Sequence, residues 1–154
     1  MAQLTIPLPV VPLTMQPFAV ALTGAVLGAK KGAITAVIYL LLGAVGVPVF
    51  ANFGGGFHRI IGPWGGYLLS YPFFALVVGL CADKGKRSWL AIGLLAGSAI
   101  NLTMGTIQLG LVNQLNMREA LFVGMFPFII PDLIRLAMVF AITPKIRQVI
   151  ARFN

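Results

Sequence analysis

Acidic side chains are almost absent: Asp83, Glu119 and Asp132 are the only three in 154 residues, against eleven lysines and arginines. A single histidine and a single cysteine complete the reactive inventory. No nucleophile, base and orienting group can be assembled from so little, so the sequence points away from an enzyme. Cys81, being alone, excludes an internal disulfide. His58 has no Cys, Asp or Glu close by in the chain, and reads as an interfacial residue rather than a metal ligand. The Gly54-Gly55-Gly56 run lacks the Gly-Lys-Ser/Thr ending of a phosphate-binding loop, so neither a nucleotide site nor any other cofactor is expected. Charge of either sign is scarce, at 9% of residues where a soluble domain carries about 25%.

What remains is apolar. Hydrophobic residues make up 59% of the chain, in uncharged stretches separated by short charged clusters. With no secretory cleavage pattern, these stretches read as retained membrane spans of a single domain covering residues 1–154. The first runs from about Pro17 to Ala29 and is closed by Lys30-Lys31-Gly32. The second covers Gly32 to about Phe50, and a glycine-rich segment from Asn52 to Arg59 follows. The third, from about Gly65 to Cys81, ends at Asp83-Lys84-Gly85-Lys86-Arg87; the fourth runs from Ser88 to about Leu111. A short segment from Met117 to Phe126 then dips back towards a fifth span, which ends near Thr143. Pro127 and Pro131 interrupt a continuous helix there, and proline suits a first turn, so that last helix is predicted to start inside the membrane at Pro131.

Loop charge sets the orientation. Lys30, Lys31, Lys84, Lys86, Arg87, Lys145, Arg147 and Arg152 fall on one side, Arg59 and Arg118 on the other, and the positive-inside rule makes the first side cytoplasmic. The net charge of +8 then records topology, and no nucleic-acid partner is expected. The N-terminus comes out on the far side. Its opening, Thr5 to Leu13, reads as a loop that follows a helix, so a further helix is expected ahead of it.

The fifth span holds the most informative residues. Asp132 and Arg135 are three apart and share one helical face. An ionisable residue at the bilayer centre costs about 2.5–3.5 kcal/mol even on lenient scales, which marks such a pair as a candidate site facing a cavity or a partner. Asp132 lies thirteen residues inward of Lys145. At ~1.5 Å per residue that is about 20 Å into a core roughly 30 Å thick, leaving Asp132 about 10 Å below the opposite surface. The competing reading is a structural ion pair. Gly54, Gly55 and Gly56 either touch a ligand or only permit a tight turn. Asn101, in the middle of a span, favours an interhelical hydrogen bond over a ligand contact, and the small pairs Ala21/Ala25 and Gly93/Gly97 favour packing inside the bundle.

Four stretches carry a resemblance: Val11-Pro12-Leu13-Thr14-Met15-Gln16-Pro17-Phe18, Tyr39 to Ala51, Gly62-Pro63-Trp64-Gly65-Gly66-Tyr67-Leu68, and Phe126-Pro127-Phe128 leading to Asp132-Leu133-Ile134-Arg135. In this order, across nearly the whole chain, they resemble the BioY family, the membrane-embedded substrate-binding S components of energy-coupling factor (ECF) biotin transporters. The resemblance implies an all-α integral membrane protein with an S-component-type bundle, six helices in the family and about five spans here. It implies biotin as ligand, a transmembrane coupling subunit and an ATPase pair as partners, and a multi-pass location in the bacterial inner membrane.

Chemistry assigns roles on that basis. The ureido ring of biotin presents two N–H donors and one carbonyl, which Asp132 and Arg135 can answer with charge-assisted hydrogen bonds. Trp64, Tyr67, Phe53 and Phe57 supply apolar walls. Asn52 is favoured over Arg59 and His58 for the tail carboxylate, and Gln16 reaches in from the start of the first span. The chain departs from the family pattern at Arg135, Pro131 and Trp64, where Lys, Gly and Thr are usual. Arginine keeps the cation but replaces a point charge with a planar fork of donors. Two alternatives stand beside this reading: an S component for another small vitamin, suggested by Arg135, and a truncated membrane protein that does not transport.

Overall fold

The structure, a computed structural model, describes residues 5–7, 12–50 and 54–153. At the N-terminal end Thr5–Pro7 (β1) pairs antiparallel with Pro12–Thr14 (β2), a short ribbon where the sequence suggests only a loop. Among the described residues the other elements are helices, α1 (Gln16–Leu27), α2 (Ala29–Ala44), α3 (Phe57–Ile61), α4 (Gly65–Leu69), α5 (Tyr71–Ala82), α6 (Arg87–Val112), α7 (Met117–Gly124) and α8 (Phe126–Phe153), with one isolated β-bridge between Phe50 and Gly54.

The five expected spans all appear as helices, with altered boundaries. The first turn falls at Gly28, ahead of Lys30 and Lys31, which instead occupy the first turn of α2. Gly28 has φ +85°, a conformation open to glycine at no steric cost, and the carboxylate of Asp83 accepts the N–H of Ala29 at 3.1 Å. An acidic group at that helix start is also favoured by the helix dipole. The α2 helix stops at Ala44, short of Phe50, because the chain turns at Gly46 (φ +106°) and folds back. The third span is divided at Ser70, where Pro72 in the first turn of α5 has no N–H to return to Leu68.

The last helix departs most from expectation. It begins at Phe126, five residues before Pro131, and runs ten residues past Thr143, with Pro131 and Pro144 inside it. Each proline removes one ladder hydrogen bond, a loss that transmembrane helices tolerate because neighbouring groups satisfy the freed carbonyl. Gly65–Ala82, Arg87–Val112 and Met117–Phe153 are long and apolar enough to cross a membrane; α1 and α2, of 12 and 16 residues, are shorter. The chain is a multi-pass membrane protein built on these helices.

Helix α5 is central, packed against α1, α2 and α6, while α8 lies against α1 and α6. Small residues make this possible, as they do where lipid supplies no hydrophobic drive between helices. Ala21, Ala25 and Ala75 are fully buried, a Cβ on Gly32 would come within 2.8 Å of Gly24 Cα, and Gly93 and Gly97 lie against Cys81 and Phe74. Both small pairs thus serve packing inside the bundle.

The cation-rich turns meet at one end. Arg147 on α8 donates to the Ala25 carbonyl at 2.7 Å, to the Ala82 carbonyl at 3.1 Å and to Asp83 Oδ1 at 3.1 Å. It thereby caps the C-terminal ends of α1 and α5, where a cation is favourable. Arg147→Ala is expected to lower stability in detergent by about 1–2 kcal/mol while leaving the distant cavity intact. Thermal unfolding of the purified variant checks this.

Candidate ligand-binding site

At the opposite end, around the start of α1, the helices enclose a cavity of about 450 Å³. Its polar floor comes from α8. Asp132 and Arg135 are 4% and 7% exposed and both line the cavity rather than the outer surface. Arg135 Nη1 stands 3.8 Å from Asp132 Oδ1, well beyond the 2.7–2.9 Å of a direct charge-assisted bond. Ser98, on α6, donates its hydroxyl hydrogen to Asp132 Oδ2, which fixes the carboxylate from behind. A buried pair is tolerable when its remaining lone pairs and protons find partners, and the open volume beside this one leaves room for a ligand to supply them.

Aromatic rings form a wall. Trp64 and Tyr67 have centroids 6.0 Å apart, and Tyr67 and Phe128 5.5 Å. Tyr67 lies directly on Gly105 of α6, and its hydroxyl donates to the Gly124 carbonyl at the end of α7. Phe50, Leu68, Tyr71 and Leu102 extend the apolar lining. Gln16 also borders the cavity; its amide donates to Tyr39 Oη at 2.6 Å, and that hydroxyl donates to the Val49 carbonyl at 2.8 Å. Three elements, α1, α2 and the segment after α2, are tied together at this rim.

Of the seven residues expected at the site, the structure brings together Asp132, Arg135, Tyr67, Trp64 and Gln16. Asn52 and Phe53 lie outside the described residues. Phe57 does not border the cavity: it opens α3 with 62% of its surface exposed, and the neighbouring positions His58 and Arg59 face the cavity instead. On a helix so short, successive side chains diverge by about 100°, so the three cannot share a face. Glycines 54 to 56 carry the tight turn: Gly54 O accepts the Phe50 N–H at 2.9 Å, and the Gly56 N–H donates to Gly43 O at 2.6 Å. Asn101 does make the expected interhelical bonds, from Nδ2 to the Tyr67 carbonyl at 3.1 Å and to Ser70 Oγ at 2.6 Å. Gln108 fastens the α3–α4 loop to α6 through the Ile60 and Gly62 carbonyls, both at 2.8 Å.

Ser98, Tyr71 and Phe128 are site residues that the sequence did not single out. A signal existed for Ser98, which stands three before Asn101 and so shares its face. A compact neutral molecule with donors for a carboxylate, an acceptor for a guanidinium and an apolar body suits this cavity.

Comparison with known proteins agrees with these features. The sequence profile of the BioY family matches residues 1–152. Biotin transporter BioY of Thermotoga maritima is 40% identical over 148 residues, covering 96% of this chain and 87% of the relative. A probable biotin transporter BioY of Pyrococcus horikoshii is 36% identical over 95% of this chain and 86% of its own length. Among solved structures, the S-component for biotin from an ECF-type ABC transporter superposes with a TM-score of 0.86 at 26% identity, over 95% of this chain and 82% of that one.

Proposed function

The chain belongs to the BioY family, and on that premise we propose that it is the substrate-binding subunit of an ECF-type biotin transporter, which captures biotin in the cavity beneath Trp64. The observation that carries this reading is the pair Asp132 and Arg135, held apart in a buried, aromatic-walled cavity with room beside them. Asp132 Oδ1 accepts a ureido N–H and Arg135 donates to the ureido carbonyl. The bicyclic ring rests against Trp64, Tyr67 and Phe128. The tail carboxylate lies towards the α3 rim, where Arg59 and His58 face the cavity and the Asn52 segment is close in sequence.

The subunit is a carrier of ligand rather than an enzyme. A transmembrane coupling subunit and an ATPase pair supply the energy, in the inner membrane of a bacterial cell, with the Arg147 end facing the cytoplasm by the positive-inside rule. Radiolabelled biotin should bind the purified protein saturably, and unlabelled vitamins other than biotin should fail to displace it. Displacement by another vitamin would assign the cavity to that vitamin, the second reading that Arg135 suggests. Arg135→Lys is expected to preserve biotin affinity or improve it, since an ammonium keeps the charge that faces the ligand carbonyl. Loss of binding in that variant would show that the guanidinium fork is required here.

A further inference from the structure

Among the polar groups at the cavity that the proposed binding mode leaves unused is the side chain of Asn101. Asn101 stands one turn beyond Ser98 on α6, 3% exposed and lining the cavity. Its amide orientation follows from its neighbours. The Tyr67 carbonyl can only accept, and the Ser70 hydroxyl already gives its own hydrogen to that carbonyl at 2.7 Å. The atom 3.1 Å from one and 2.6 Å from the other must therefore be the nitrogen, with both of its hydrogens engaged. The amide oxygen is turned the other way, and among the described residues nothing donates to it. Asn101 lines the cavity, so this oxygen is an acceptor that a ligand donor can reach from the open space.

A cyclic urea carries two N–H groups, and the pair on α8 accounts for only one of them together with the carbonyl. We propose that Asn101 Oδ1 is the acceptor for the second ureido N–H, an inference that rests on reading the cavity as the biotin site. The two acceptors are then unlike: a carboxylate positioned by Ser98 on one side, a neutral amide positioned by Tyr67 and Ser70 on the other. The cavity selects for a ring with two N–H groups, since a lactam or carbamate in the same place would leave one acceptor unpaired. Ser98 is a positioning residue in this arrangement, while Asn101 touches the ligand.

Two biotin analogues, each methylated on one of the two ureido nitrogens, provide the test. The intact protein should bind both at least about tenfold more weakly than biotin. Asn101→Ala should bind biotin about three- to tenfold more weakly and should lose discrimination against one analogue alone, while keeping it against the other. A variant that still rejects both analogues, or loses affinity for all three ligands in equal measure, would reduce Asn101 to a purely structural bond and overturn the proposal. Thermal unfolding establishes whether Asn101→Ala is folded. If it is not, the intact protein decides, because an analogue that binds within about threefold of biotin shows that only one N–H is received. Absence of biotin binding to the intact protein would instead overturn the underlying reading of the cavity.

Discussion

Asn in place of Asp132 is expected to weaken biotin binding more than tenfold while the protein remains folded in detergent. The exchange preserves shape, and the Ser98 hydroxyl that now donates to Oδ2 can still donate to an amide oxygen. What disappears is the negative charge at Oδ1, the atom nearest Arg135 and the one available to a ligand donor. A hydrogen bond to a charged group is worth about 1.5–3 kcal/mol, and each 1.4 kcal/mol is tenfold in affinity, so the loss should lie between about ten- and a hundredfold. Arg135, itself buried, would be left without its anion, which lowers stability as well. Equilibrium binding and thermal unfolding measured on the same preparation separate the two effects. Unchanged affinity with lowered stability would identify the pair as a structural tie.

The same pair shows how much of the site could be read from residues alone. An acid and a base three apart in an apolar stretch are conspicuous because burial of charge is costly, and Trp64 and Tyr67 stand out as aromatics near the same surface. Ser98 is conspicuous in neither way. Its role depends on the approach of α6 to α8, a contact across 34 residues that periodicity does not report. Boundaries failed for similar reasons. Lysines mark the membrane surface but not the turn, and the turn at Gly28 is stabilised by Asp83, 54 residues away from Ala29 in the chain. Pro131 looked like a helix start because proline suits a first turn. Its lost hydrogen bond is instead absorbed within a continuous α8, as membrane helices allow. For α3, the side chains that line the cavity are set by the rotation of a five-residue helix, which the sequence does not specify, so Phe57, expected as an apolar wall, is turned away while His58 and Arg59, weighed for the tail carboxylate, line the cavity.

Gly105→Leu is expected to abolish most binding through a residue that never touches the ligand. At this point α4 and α6 are nearly in backbone contact: a Cβ on Gly66 would lie 3.0 Å from Gly105 Cα, and a Cβ on Gly105 would overlap the Tyr67 ring. Tyr67 is confined on its other sides by Trp64 and Phe128 and is tethered to Gly124 through its hydroxyl. A leucine at 105 therefore has to displace the ring, and the open volume next to it is the cavity. Overpacking of this kind costs about 1–3 kcal/mol, which, expressed in binding, is a loss on the order of ten- to a hundredfold. Tyr67→Phe supplies the contrast. It keeps the wall and removes the hydroxyl that bonds Gly124 and lies beside Thr106, so it should lower stability by about 0.5–1.5 kcal/mol and change biotin affinity no more than about threefold. If Gly105→Leu binds biotin as the parent does, Tyr67 is not a wall of the ligand site, and the body of the ligand must lie against other side chains.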